Sequence, residues 1–107
     1  MILDEINVQE LNRLFKENKD FILLDVRTDN EVAISRINGS VHIPMNEIPH
    51  RLSELDKSKN IIVQCKLGQR SAKVCHYLLD NGFSHIKNLS GGIVAWSREI
   101  DPTISIL

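Results

Sequence analysis

A chain of 107 residues has room for one domain around one core, residues 1–107, and for no second. Its apolar share of 42% and charged share of 25% are those of a soluble globular protein, and an aromatic share of 5% leaves the core to aliphatic residues. A net charge of -1 gives no general attraction to nucleic acid or to an anionic membrane, and apolar runs as short as Phe21 to Leu24 exclude a bilayer span.

Asp4 and Glu5 stand where a secretory leader needs a basic start and an apolar stretch, so the expected setting is the cytoplasm. Two cysteines in such a chain are expected as thiols, not as a disulfide framework. Asn7 and Glu10 form a capping box, with Ile6 and Leu11 as the hydrophobic staple around it. Val8, Leu11, Leu14 and Phe15 then give one apolar face of a helix that ends near Asn18. Phe21 to Val26, broken only by Asp25, predicts a strand buried on both faces. A second strand is expected at Val41 to Ile43, stopped by Pro44, and a short helix at Glu47 to Leu55, with Ile48, Leu52 and Leu55 on one side. Ile61 to Cys65 reads as another buried strand. Ser71 to Asn81 reads as a helix with Ala72, Cys75 and Leu79 on one face and Gly82 as its stop. Ile86 to Leu89 is the last strand, followed by Gly91-Gly92 and a short helix through Trp96. Strands alternating with helices predict an α/β fold with a mainly parallel sheet covered on both faces. Ligands in such sheets bind beyond the carboxyl ends of the strands.

One of those ends concentrates chemistry. Ile61-Ile62-Val63-Gln64 delivers Cys65 to a strand tip, and Lys66-Leu67-Gly68-Gln69-Arg70 turns straight into the helix at Ser71. Strand, tight loop and helix start together aim backbone N–H groups at one point, a cradle for a thiolate, a persulfide or an oxyanion. Free cysteine titrates near about 8.5, and such a setting lowers it to about 3.5–7.5. Lys66 and Arg70 supply cations, and Gly68 allows a backbone conformation closed to other residues. The plainer alternative is that Cys65 is a buried strand residue.

Three motifs in order resemble the rhodanese family over about Leu3 to Pro102. Asp25-Val26-Arg27 with Glu31 is similar to its Asp-Val-Arg-x-x-x-Glu segment, and Cys65 to Ser71 to its Cys-x-x-Gly-x-Arg-Ser loop. Leu89-Ser90-Gly91-Gly92-Ile93-Val94-Ala95-Trp96 is similar to its Gly-Gly-x-x-x-Trp signature. The resemblance implies a rhodanese-like fold with a central, mainly parallel five-stranded sheet flanked by helices on both faces. It also implies a persulfide on Cys65, cradled by Lys66, Leu67, Gly68, Gln69, Arg70 and Ser71. The sequence departs from the family in Ser35-Arg36, where Gly-His is common, and at Val32, often tyrosine; both bear on the substrate entrance.

The remaining candidates have structural readings. Cys75 reads as core packing and not as a redox partner, and Trp96 as a core plug. His42, His50, His76 and His85 lack metal-ligand spacing with either cysteine, so no metal and no cofactor is expected. Asp25, Arg27 and Glu31 read as supports that hold the loop by charged hydrogen bonds. Arg70 stays open: it binds an anionic donor, or it pairs with Asp25 or Glu31.

Three functional classes follow. The first is a sulfurtransferase moving sulfane sulfur from a small donor such as thiosulfate through Cys65 to cyanide, a thiol or a sulfur-carrier protein. The second is phosphate or arsenate chemistry, because cell-cycle phosphatases share the fold; their loop is one residue longer than the four between Cys65 and Arg70. The third is a silent interaction module, whose usual mark is loss of the cysteine. Cys65-Lys66-Leu67-Gly68 and the tail Trp96 to Pro102 also resemble the rhodanese domain of E1-like enzymes that activate ubiquitin-like sulfur carriers. The partners that this implies are a sulfur carrier and its E1-like activating enzyme.

Overall fold

The computed structural model describes residues 2–106. The capping box forms as read: Asn7 Oδ1 accepts from the Glu10 amide at 2.8 Å, the Glu10 carboxylate accepts from the Asn7 amide at 3.2 Å, and helix α1 (Val8–Lys16) follows. Just before it, Glu5–Ile6 make a two-residue strand, β1. The remaining strands are β2 (Ile22–Asp25), β3 (Val41–His42), β4 (Ile61–Gln64) and β5 (Ile86–Leu89). The other helices are α2 (Asp29–Ile34), α3 (Gln69–Asp80) and α4 (Gly92–Glu99). No helix among the described residues is long and apolar enough to cross a membrane.

The five strands form one sheet in the order β1-β5-β4-β2-β3, and every pairing is parallel. Alternation along the strands divides the core in two. Leu24, Val63 and Ile86 pack with Val74, Cys75 and Leu78 of α3 on one face. Leu23, Ile62 and Leu89 pack with Leu11 of α1 and with Ile93 and Trp96 of α4 on the other. Each fully buried aliphatic side chain contributes about 1.5–3 kcal/mol, so two mainly aliphatic layers suffice where aromatics are scarce. Three of the five aromatics cluster: Phe15 meets Phe21 at 5.1 Å and Trp96 at 5.9 Å, both edge-on, which makes Trp96 the core plug expected of it.

The structure departs from the sequence reading in four elements. The expected helix from Glu47 to Leu55 is two 3₁₀ segments, Met45–His50 and Leu52–Glu54, because Pro49 has no amide to continue an α-helical ladder. Ile48 and Leu55 still face the core. Helix α3 starts two residues earlier than expected, and its inward face is Ser71, Val74, Cys75 and Leu78, not Ala72, Cys75 and Leu79. Ser71 is polar, so an apolar pattern passes over it. Gly82 does end the helix, at φ 89°: its amide bonds Leu79 O, and the Phe83 amide bonds Leu78 O. Helix α2 and strand β1 have no counterpart in the apolar pattern.

Candidate active site

All the parallel strands point their carboxyl ends to one edge, where the loops after β2, β4 and β5 converge. Cys65 leaves β4 at that edge and is 1% exposed. Its Sγ lies 3.1 Å from the Gly68 amide and 3.3 Å from Ser71 Oγ. Burial pushes the Cys65 thiol up. Hydrogen bonds from the Ser71 hydroxyl and from the Ser71, Gly68 and Leu67 amides outweigh that and hold it below its ordinary value. A ring of N–H and O–H donors around one sulfur stabilises negative charge there, whether on a thiolate or on a persulfide.

Two glycines make the ring. Gly68 caps α3 at φ 113°, a left-handed conformation that closes the loop tightly enough to turn its own amide back on the sulfur. Gly92 sits where any Cβ would overlap the carbonyl oxygens of Lys66 and Cys65. That close approach lets α4 donate its first amides to the loop, Ile93 to Cys65 O at 2.9 Å and Val94 to Lys66 O at 3.2 Å. With its carbonyls held outward by α4, the loop keeps its amides for the sulfur.

Charged groups brace the ring from outside. Asp25 and Arg27 form a buried pair, Arg27 Nη2 to Asp25 Oδ2 at 2.7 Å, and Asp25 also accepts from the Arg27 amide. Arg27 donates onward to the carbonyls of Ser35 at 2.8 Å and Glu31 at 3.5 Å, which fixes α2. From α2, Glu31 accepts two bonds from Arg70, at 2.7 and 2.9 Å. The Arg70 bonds come first among the causes that hold Glu31 down to about 2; Thr28 adds to them and burial opposes them. Glu31 thus raises Arg70 in turn. Of the two roles left open for Arg70, the structure shows the ion pair with Glu31. Lys66 is half-buried at the loop, Leu67 is exposed and Gln69 points outward.

The residues that depart from the family pattern have partners of their own. Ser35 donates to Ser105 O at 2.5 Å, Arg36 reaches the backbone and hydroxyl of Ser40, and Val32 is half-buried on α2. Cys75 is fully buried, and burial, then Cys65 and Glu5, push its thiol up to about 12, which leaves it inert.

Comparison with known proteins gives the family. The Rhodanese-like domain description matches residues 7–99. The chain belongs to the rhodanese-like family. A protein of Allochromatium vinosum named Sulfurtransferase is 35% identical over 104 residues, spanning 97% of each chain. The crystal structure of a rhodanese-like domain protein from Staphylococcus aureus superimposes with a TM-score of 0.86 at 36% identity, over 98% of this chain and 99% of that one. Adenylyltransferase and sulfurtransferase UBA4 of Meyerozyma guilliermondii is 31% identical over 107 residues, which cover 92% of this chain and 25% of that protein.

This rhodanese-like fold brings together Cys65, Gly68 and Ser71 at the sulfur, and Asp25, Arg27, Glu31 and Arg70 around them. One neighbour escaped the sequence reading. Asn88, buried on β5, bonds both Ser71 and the Gly68 carbonyl. Its signal was a polar residue at an inward position of a core strand, where an apolar one is the default.

Proposed function

We propose that the protein is a sulfurtransferase in which Cys65 alternates between thiolate and persulfide. The observation that carries this reading is the ring of donors around a cysteine held below its ordinary pKa. The whole-length likeness to a named sulfurtransferase supports it. In the first step the Cys65 thiolate attacks the outer sulfur of a donor such as thiosulfate; the S–S bond of the donor breaks and sulfite leaves with that electron pair. In the second, cyanide or a thiol attacks the outer sulfur of the persulfide and Cys65 leaves as thiolate; toward an activated carrier protein the persulfide is itself the nucleophile. Each step makes and ends on an anionic sulfur, which the amides of Leu67, Gly68 and Ser71 stabilise without moving. Lys66 makes no ion pair among the described residues and attracts an anionic donor to the mouth, while Arg70 braces the loop through Glu31. Cys65 and Cys75 are free cysteines, and we place the reaction in a reducing, cytoplasmic setting. Four residues between Cys65 and Arg70 make a ring suited to a single sulfur and too small for a phosphate ester.

The test is direct. Cys65→Ser is expected to abolish thiosulfate-to-cyanide transfer with the fold intact by circular dichroism, while Cys75→Ser keeps most of the activity. Mass spectrometry after thiosulfate treatment should find one added sulfur on Cys65, and aryl phosphate should not turn over. Comparable activity in Cys65→Ser and the parent protein would sink the mechanism, and no activity in the parent with any donor would favour a silent interaction module.

A further inference from the structure

Asn88 is 2% exposed on β5, and alternation places it with Ile86 on the α3 side of the sheet. Register sets it beside Val63 of β4 and Glu5 of β1. Its amide touches three groups from three parts of the chain. Nδ2 lies 3.1 Å from the Gly68 carbonyl and 3.4 Å from Glu5 Oε2, and Oδ1 lies 2.6 Å from Ser71 Oγ. Chemistry fixes which way this amide points, because a carbonyl and a carboxylate only accept and both face the nitrogen. Oδ1 therefore meets Ser71, and that bond takes the single hydrogen of the hydroxyl. The same hydroxyl stands 3.3 Å from Cys65 Sγ. One hydrogen serves one acceptor at a time. With sulfur as a thiol, Ser71 donates to Asn88 and accepts from S–H. With sulfur as an anion, the hydrogen turns to sulfur and Asn88 gives it up.

We propose that Asn88 is a positioning residue of the sulfur-transfer site: it shares the Ser71 hydrogen with Cys65 and keeps Gly68, a direct donor to the sulfur, in place by its carbonyl. The proposal rests on Cys65 being the reacting sulfur. It assigns β5 a part in the chemistry that the loop motif alone does not contain. The charged and titratable groups around the loop are Arg70 and Cys75 on α3, Glu31 on α2, Asp25 on β2 with Arg27 just after it, Glu5 on β1 and Lys66 in the loop itself. β5 adds only Lys87, exposed on the opposite side of the strand, and the first turn of α4 has no titratable residue. None of these differs within any pair compared below.

The test measures what Ser71→Ala does to the Cys65 titration midpoint in three backgrounds: Asn88 itself, Asn88→Leu and Asn88→Asp. Ultraviolet thiolate absorbance reads the midpoint without needing access to the sulfur, and the iodoacetamide rate checks it. Cys75, pushed up to about 12, stays out of the window. In Asn88→Leu the Ser71 hydrogen belongs to sulfur alone, so Ser71→Ala should raise the midpoint most, by about one pH unit, with about tenfold slower alkylation near neutrality. In Asn88→Asp a carboxylate keeps the hydrogen, so Ser71→Ala should change the midpoint least. Any direct effect of the new charge enters both members of that pair and cancels. The expected order is Leu, then Asn, then Asp. Equal shifts, a reversed order or no shift in any background overturns the proposal. If Asn88→Leu does not fold, the inequality between Asn and Asp decides alone. Loss of melting temperature without this order marks Asn88 as structural only. Because the titration needs no turnover, a Cys65→Ser protein that still transferred sulfur would defeat the function proposed above and leave this series readable.

Discussion

Arg70 donates two hydrogen bonds to Glu31, and both side chains are mostly withdrawn from solvent, 31% and 19% exposed. A forked pair of this kind holds geometry as well as charge, because both nitrogens must stay in the carboxylate plane. Removing either partner leaves a half-buried charge, at a cost of about 1–2 kcal/mol, between the values for exposed and buried pairs. For a chain of this size that is roughly 5–15 °C of melting temperature. Arg70→Ala is therefore expected to lower Tm and to slow transfer from charged and uncharged donors alike. A rise in KM confined to thiosulfate, with Tm unchanged, would return Arg70 to donor binding. The pair also sets a pH dependence. Glu31 is held at about 2 in the folded protein against 4.5 without its partners, so the unfolded chain takes up this proton first as pH falls. Its contribution is complete above about 4.5 and disappears as pH falls toward about 2. The Tm gap between the parent protein and Glu31→Gln should accordingly narrow through that window, and a constant gap would refute the assignment.

At the scale of elements, Gly92 decides how close α4 comes to the loop. A methyl group there would meet the Lys66 and Cys65 carbonyls, and φ is 59° besides. Gly92→Ala should push α4 away, cost the loop its bonds from Ile93 and Val94, and reduce transfer by more than about tenfold, a rise of more than some 1.4 kcal/mol in the barrier. Gly39 is the control. It has a similar backbone, φ 86°, but its Cβ would meet only Phe15 at 3.7 Å. Gly39→Ala should lose stability and keep its activity per folded molecule, and parallel behaviour of the two variants would remove the special role of Gly92. The sequence showed the Gly-Gly motif but not this contact, which joins residues distant along the chain. Strongly patterned elements such as α1 and β5 were legible because capping and alternation are local. The six residues of α2 were not, although Thr28 and Glu31 form a capping box there, because none of them is buried. β1 was not either, since two residues cannot show a period. Between Glu47 and Leu55 the apolar spacing was read correctly and the helix type was not, because side-chain pattern is shared by 3₁₀ and α turns while Pro49 acts on the backbone.

For the whole molecule, the parallel sheet gathers what the chain scatters. β5 lies between β1 and β4, so Glu5, Asn88 and the Cys65 loop become neighbours, and β2 on the other side of β4 brings in Asp25 and Arg27. The sulfur ends up recessed at one edge of the sheet, with Lys66 and the exposed Leu67 beside it. A recessed persulfide admits slender acceptors and excludes broad ones. Cyanide and small thiols qualify, and so does an extended chain terminus, such as the Gly-Gly tail of a ubiquitin-like sulfur carrier. We propose that acceptor on the resemblance of Cys65 to Gly68 and of Trp96 to Pro102 to the rhodanese domain of E1-like enzymes. The chemistry would run through an adenylylated carrier terminus. The outer persulfide sulfur attacks the acyl carbon, AMP leaves, and a thiol reductant then cleaves the acyl disulfide to free a thiocarboxylate and Cys65. Lys66 would attract the phosphate of that adenylate at short range. The expected outcome is carrier thiocarboxylate, seen as a mass gain on the carrier, when persulfidated protein is mixed with the E1-like enzyme, ATP, carrier and reductant from the same cell. Cys65→Ser should give none, and charge reversal at Lys66 should slow the reaction more at low salt than at high salt. If the parent protein gives none either, while it still converts cyanide, the acceptor is a small molecule and the carrier role falls.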